Sequence, residues 1–324
     1  MYKIIYLIDK HEYLTKMSRV RFHIANAIAA QSVFKYWGIN WDGFDEKKTI
    51  QENLDSIGES PDVLMIYKPL KYLGLKEIKC IKILQYNEMY ELDLTRKEID
   101  ESMADIVICH HENDYKFYKQ LYAFYCENKN KKVKFYNIPH SAEKTVFYKR
   151  DVPIKYDLLL CGRYGSKNRL GELHYPLRDR MSKLLEGMRG KWRVGVIKHP
   201  GYVHEDSYTD RYLNEFAEEI SSARICITCS GKPKSRFGKY VEIPMCRGVV
   251  AADIPDEQQE EIRKFVIELN MSMSDKEIVS KLEYYLGDED KLEELRERGY
   301  NYSKNYTMRQ YANRFFNIIN NFKK

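Results

Sequence analysis

Apolar runs of strand length recur along the chain, separated by polar or helix-periodic stretches. YKIIYLI (2–8) is the first. From Ser18 to Ala30 the pattern changes, and Val20, Ile24, Ala27 and Ile28 fall at helical spacing. Then come VFKYWGI (33–39), DVLMIY (62–67), IKILQY (81–86) and ADIVIC (104–109). A helix is predicted over Glu112–Tyr125, and VKFYNIP (133–139) follows, ended by Pro139. Continuous apolar runs alternating with helices are the mark of parallel strands covered on both faces. Six of them in roughly 140 residues predict one doubly wound domain.

The stretch 140–155 is polar and contains Pro153, which makes it the linker candidate. Behind it the alternation restarts. Strands are expected at YDLLLCG (156–162), WRVGVI (192–197), ARICITC (223–229) and VVAADI (249–254). Helices are expected at Leu177–Met188, at Ser207–Ser222 with Leu213, Phe216, Ala217 and Ile220 on one face, and near Lys239–Cys246. Ser274 and Glu277 form a capping box for Glu277–Leu286, with Gly287 at its end, and Leu292–Arg298 is expected to stop at Gly299. A last helix starts at Thr307, capped by Gln310, with Tyr311, Phe315, Ile318, Ile319 and Phe322 in one stripe. The expected fold is α/β: two Rossmann-like, doubly wound parallel-sheet domains, 1–148 and 149–306, facing a cleft at the carboxyl ends of their strands.

Composition narrows the class. At 324 residues and 44% hydrophobic, the chain has material for two cores. No apolar run approaches the roughly 20 residues of a membrane span. Asp9 interrupts the first run too early for a secretory signal, so a cytoplasmic protein is expected, with peripheral membrane contact left open. The net charge of +6 comes from cations dispersed among acids, which argues against a nucleic-acid platform. Seven cysteines in no paired spacing read as reduced thiols. The C-x-x-C of Cys226 and Cys229 lies inside an apolar strand and reads as packing. No His/Asp/Glu set has metal-site spacing, so no metal is expected.

Candidate chemistry falls on strand-to-helix turns. CGRYGSKNR (161–169) follows a strand directly. Gly162 permits a sharp turn, and Arg163, Lys167 and Arg169 bring three cations to the start of the next element, as a diphosphate requires. The second stretch, SGKPKSRFGKYVEIPMCRGVVAAD (230–253), places Glu242 on a short helix between two strands, where a carboxylate can accept from both hydroxyls of a ribose. His110 and His111 follow a strand end and are base or acceptor-contact candidates. His199, before Pro200, is a candidate for a nucleobase pocket.

The order of these motifs resembles glycosyltransferase family 4, a group of GT-B enzymes, and its spore-protein-like relatives. The family pattern is strand, Ser, loop, Phe-Gly, three residues, Glu, then a Gly-x-Pro-Val-Val strand. This chain has Ser230, Phe237-Gly238, Glu242, Gly248 and Val249-Val250. IPHSAEKTVF (138–147) is similar to the family's interdomain segment, CGRYGSKNR to its diphosphate loop, and ADIVIC to the strand before it. The likeness covers roughly residues 100–322. It implies a GT-B enzyme that moves a sugar from a UDP-, GDP- or ADP-linked donor to a glycan, lipid or protein acceptor. It further implies retention of anomeric configuration, no metal or other cofactor, and a last helix, 307–322, that packs back on the first domain. By the same resemblance Glu242 holds the donor ribose, while Arg163 with Arg169 or Lys167 neutralises the leaving diphosphate. Gly162, Lys167, His199, Ser230, Lys234, Phe237, Gly238, Lys239 and Glu242 form the donor site, with Arg163, Arg169 and His110 as catalytic candidates.

Three departures stand out. A second family Glu, eight residues before the first, is Lys234 here. DKHEYLTKMSR (9–19) lacks the family's Gly-rich turn, and MCRGVV carries Arg247 and no Pro. Lys234 is expected either to contact the diphosphate or an acidic donor sugar, or to point into solvent. Two other functions stay open: a GT-B nucleotide-sugar epimerase, for which His110, His111 and Glu88 are the acid–base candidates, and a GT-B scaffold that binds without turnover.

Overall fold

A computed structural model describes residues 1–15, 17–126, 133–167, 171–197 and 210–322. They form two compact units: Met1–Pro139 with the chain from Tyr311 onward, and the described residues between His140 and Gln310.

The first unit contains strands β1 (Lys3–Leu7), β2 (Val33–Trp37), β3 (Val63–Ile66), β4 (Ile81–Tyr86), β5 (Ile106–Cys109) and β6 (Lys134–Asn137). Their order is β2-β1-β3-β4-β5-β6, with every neighbouring pair parallel. The second contains β7 (Tyr156–Cys161), β8 (Val194–Ile197), β9 (Ala223–Ile227), β10 (Val249–Ala252) and β11 (Val266–Glu268). These run β11-β10-β9-β7-β8, again all parallel. In each sheet the order reverses beside its first strand, so the carboxyl ends there frame the crevice where α/β proteins take ligands.

Both faces of the second sheet are covered, which is why its strands are continuously apolar. Leu158, Leu160, Ile225, Ile227 and Val249 pack with Leu177, Met181 and Leu185 of the helix Pro176–Met188. Leu159, Cys161, Cys226 and Val250 pack on the other face with Phe216, Ile220, Tyr240 and Ile243. Cys226 and Cys229 are both buried free thiols. Ala142, Val146 and Phe147 belong to this same core, so the chain joins the second unit at His140, ahead of the 148/149 boundary read from the sequence.

Two local readings change, and one strand, β11, was not expected. β11 has only three residues, too few for a period to show. The helix expected to stop at Gly299 runs through it, over Glu289–Ser303. A Cβ at 299 would lie 3.2 Å from both Phe265 and Pro244, so this glycine permits close packing and does not end the helix. Gly287 does end the helix Asp275–Leu286, but in a right-handed conformation. The capping box of Ser274 and Glu277 is present. The last helix spans Met308–Phe322, and Thr307 Oγ1 accepts from the Gln310 N–H at 3.2 Å. From Tyr311 its side chains belong to the first unit, where Tyr2 stacks on Phe316 and its hydroxyl donates to Asn320. Among the described residues no helix is long and apolar enough to cross a membrane.

One ion pair gives the second unit an acid-sensitive point. Asp157, at the start of β7, accepts from the Arg193 guanidinium at 2.8 and 3.1 Å and from its backbone N–H at 3.0 Å. These bonds hold its carboxyl below the usual range. A depressed pKa stabilises the fold above the unfolded value of about 3.9 and ceases to do so as pH falls through the folded value. The melting-temperature gap between the parent and Asp157→Asn is therefore expected to be full near neutrality and to close below about pH 4. A gap independent of pH would show that the pair does not set this sensitivity.

Candidate functional site

The turns after β7, β9 and β10 meet at the carboxyl edge of the second sheet, where these three strands are neighbours in the order β10-β9-β7. β7 ends at Cys161, and Gly162 turns the chain with φ of +100°. The reason for glycine is specific. A Cβ here would sit 2.6 Å from Nη1 of Arg178.

Arg178 was not among the sequence candidates. It lies on the buried face of the helix Pro176–Met188 and is 4% exposed. Nη1 donates to the Arg163 carbonyl at 2.8 Å, and Nη2 to the Cys229 carbonyl at 3.4 Å. Its guanidinium lies over the Tyr175 ring, 4.0 Å from the centroid. Nε is buried without a hydrogen-bond partner. No carboxylate pairs with it among the described residues. A buried, uncompensated cation is costly, and it favours an anion nearby. Arg163 and Lys167 are exposed in the same turn. Arg169 and His199 lie outside the described residues.

The loop from β9 is tied down from both sides. Ser230 is buried; its N–H and hydroxyl donate to the Asp253 carboxylate at 2.8 and 2.5 Å. Asp253 follows β10 and also takes the Lys234 ammonium at 2.8 Å. Lys234 is thus an ion-pair partner with a half-exposed side chain and a left-handed backbone, at φ of 52°. On the other side, the Lys232 N–H donates to the His174 carbonyl at 2.8 Å and its ammonium pairs with Glu172. Phe237 meets Tyr175 edge-on, at 5.9 Å between centroids.

Gly238 leads into the short helix Lys239–Met245. Glu242, one turn along, is 5% exposed. Its Oε2 accepts from the Lys239 ammonium at 2.5 Å, and that ammonium also lies over Phe216 at 4.5 Å. A Cβ at 238 would fall 2.7 Å from Glu242 Oε1, so glycine is what lets the carboxylate lie against the backbone. Ser230, Lys234 and Phe237 thus share one loop with Gly238, at whose end Lys239 and Glu242 lie, and Arg178 bridges the Cys229 carbonyl before that loop to the Arg163 carbonyl beyond Gly162.

His110 belongs to the first unit. It is 1% exposed at the end of β5, edge-on to Tyr311, with Nε2 3.0 Å from the Gln85 amide nitrogen and from the Tyr311 hydroxyl. The imidazole joins the last helix to the sheet and is closed to solvent. His111 is buried as well. Among the described residues no three His, Cys, Asp or Glu side chains gather as a metal site.

No protein-family model matches the chain, and no curated protein matches it in sequence. Solved structures match its fold over nearly the whole length. Anabaena HepE, in complex with UDP and glucose, aligns over 99% of this chain and 100% of its own, with a TM-score of 0.60 and 9% identity. A glycosyltransferase from Rickettsia africae aligns over 100% and 99%, with a TM-score of 0.59 and 14% identity. A protein assigned to the UDP-N-acetylglucosamine 2-epimerases, from Listeria monocytogenes, aligns over 98% and 95%, with a TM-score of 0.51 and 12% identity. At these identities the likeness is one of fold: the chain has the two-domain GT-B architecture.

Proposed function

We propose that the chain is a glycosyltransferase that uses a nucleotide-diphosphate sugar. The observation that carries the reading is the cluster on the second sheet of a GT-B fold: a buried carboxylate, Glu242, a glycine turn at 162 and cations on both sides of it. Glu242 accepts hydrogen bonds from the ribose hydroxyls. Arg178 and Arg163 face the growing charge of the departing diphosphate. Preorganised charge aimed at a leaving group is the largest single catalytic term in many enzymes. Side chains supply that charge in this reading, and transfer proceeds with retention to a glycan, lipid or protein hydroxyl. UDP heads the donor panel, because a structure of this fold is known with UDP and glucose.

Thermal denaturation with UDP, GDP, ADP and their sugars tests binding. A ligand at 100 times its Kd raises stability by about 2.7 kcal/mol. Turnover of the stabilising sugar nucleotide then separates the functions: transfer or slow hydrolysis supports the proposal, an epimeric nucleotide sugar points to an epimerase, and binding without reaction points to a scaffold. Proton NMR of the first-formed product reads retention directly.

Arg163 is expected to act mainly on the transition state. Arg163→Ala should lower kcat more than it raises KM, because an interaction equal in ground and transition states moves KM alone. A change confined to KM would assign Arg163 to donor binding only.

A further inference from the structure

The loop from Ser230 to Gly238 carries a side chain that donor binding does not use. Arg236 has no solvent exposure. Its Nη2 donates to the His140 carbonyl at 2.7 Å, and its guanidinium lies over the Tyr306 ring, 4.4 Å from the centroid. Nε and Nη1 are buried without hydrogen-bond partners. No carboxylate pairs with the guanidinium among the described residues. The Arg236 backbone N–H donates to Glu257 Oε1 at 3.2 Å, which fixes where the side chain starts. Apolar packing would fill this space more cheaply than a buried cation held by one carbonyl and one ring.

His140 begins the second unit, and Tyr306 lies four residues before the chain leaves it at Gln310. Among the described residues, such crossings between the units lie at Pro139–His140 and at Gln310–Tyr311. Just inside the second unit the two are bonded to each other. The Ala142 N–H donates to the Tyr306 carbonyl at 2.9 Å, the Met308 N–H donates to the Ala142 carbonyl at 3.2 Å, and Ala142 and Thr307 form a parallel bridge. The Tyr302 and Tyr306 hydroxyls both donate to Gln258 Oε1, at 2.6 and 2.9 Å. One guanidinium therefore ties the loop of the donor cluster to both crossings at once.

We propose that Arg236 is a positioning residue that couples occupancy of the donor loop to the paired crossings. A nucleotide that orders Ser230–Gly238 steadies Arg236, and through His140 and Tyr306 it makes the Ala142–Tyr306–Met308 hydrogen bonds open less often. The inference rests on the donor reading of this loop. It does not require Arg236 to touch the ligand.

Amide hydrogen exchange on the full chain tests it in two arms. Without nucleotide, Arg236→Met is expected to speed exchange at Ala142 and Met308 roughly tenfold, while amides of β1 and β4 keep their rates. Arg236→Lys keeps the charge but loses the planar fork and should fall between; it is read the same way should the methionine variant not fold. With UDP, the parent should gain protection at 230–238 and also at Ala142 and Met308, whereas Arg236→Met gains it only at 230–238. Protection at 230–238 with Ala142 and Met308 unchanged in the parent overturns the coupling and leaves the donor reading intact. No protection at 230–238 with UDP, GDP or ADP removes the donor reading, and the first arm then decides the tie: unchanged exchange in both variants overturns it.

Discussion

Glu242→Ala is expected to weaken nucleoside diphosphate binding by about 1.5–3 kcal/mol, roughly ten- to 150-fold, the range for hydrogen bonds to a charged group. The carboxylate is nearly buried, yet only Oε2 is held, by Lys239. Oε1 lies against Gly238, where the absence of a side chain keeps the approach open. A ribose contact predicts that uridine and UDP lose affinity alike, because both carry the diol. Loss confined to UDP would mean that the freed Lys239 ammonium has redirected the diphosphate, and full affinity for both would remove Glu242 from the site. Glu242→Gln keeps shape and one acceptor oxygen but removes the negative charge that pairs with Lys239, so it should recover part of the loss. Calorimetry with both ligands, on variants whose melting is checked first, distinguishes these outcomes.

The inner strands β1, β3, β5, β7 and β10 were legible because burial on both faces turns each into a near-continuous apolar run, whereas the edge strands β2 and β6 include exposed residues. Turn glycines were legible in part. Gly162 follows a strand directly and ends it. Gly299 has the same local signature as a helix stop, but its role comes from Phe265 and Pro244, both distant in sequence. Loop partners were the hidden part. Lys234 and Asp253 are 19 positions apart on different elements, and nothing local marks them as a pair. The pair changes how the chain can be tested. Lys234→Glu would give the loop the glutamate of the resembled family, but it would place that carboxylate beside Asp253 Oδ2, so weakened binding in that variant would report repulsion as well as a missing cation. His110 follows a strand like a cleft residue, and its burial is decided by Tyr311, which the sequence places 201 positions away. Arg178 did leave a signal: it shares a helix face with Met181 and Leu185, at offsets of about three and seven that otherwise carry core residues. A cation on such a face has to be held by something, and here it is held by the ends of two strands.

Arg178→Met is expected to produce the largest catalytic loss among these variants. The substitution has two opposing effects on stability. It strands the Arg163 and Cys229 carbonyls, each at a cost of about 1–3 kcal/mol when buried. It also removes an uncompensated buried charge, and replacing buried ions by apolar groups of similar volume is often neutral or stabilising. A modest change in melting temperature is therefore expected. Charge at the site has no such offset. Two unit charges about 6 Å apart, at an effective dielectric of about 20, interact by about 3 kcal/mol. A cation buried directly beneath Gly162 acts at that scale on a diphosphate seated over the turn, and most strongly as the leaving group gains charge. Arg178→Met should thus weaken UDP binding far more than uridine binding and lower kcat by roughly 10²–10³, the effect of deleting one preorganised donor to a developing anion. Arg178→Lys restores the charge without the fork that reaches both carbonyls, and should recover UDP affinity more fully than kcat. Equal losses for uridine and UDP in the methionine variant, with no recovery in the lysine variant, would make Arg178 a brace between β7 and β9 with no part in holding the anion.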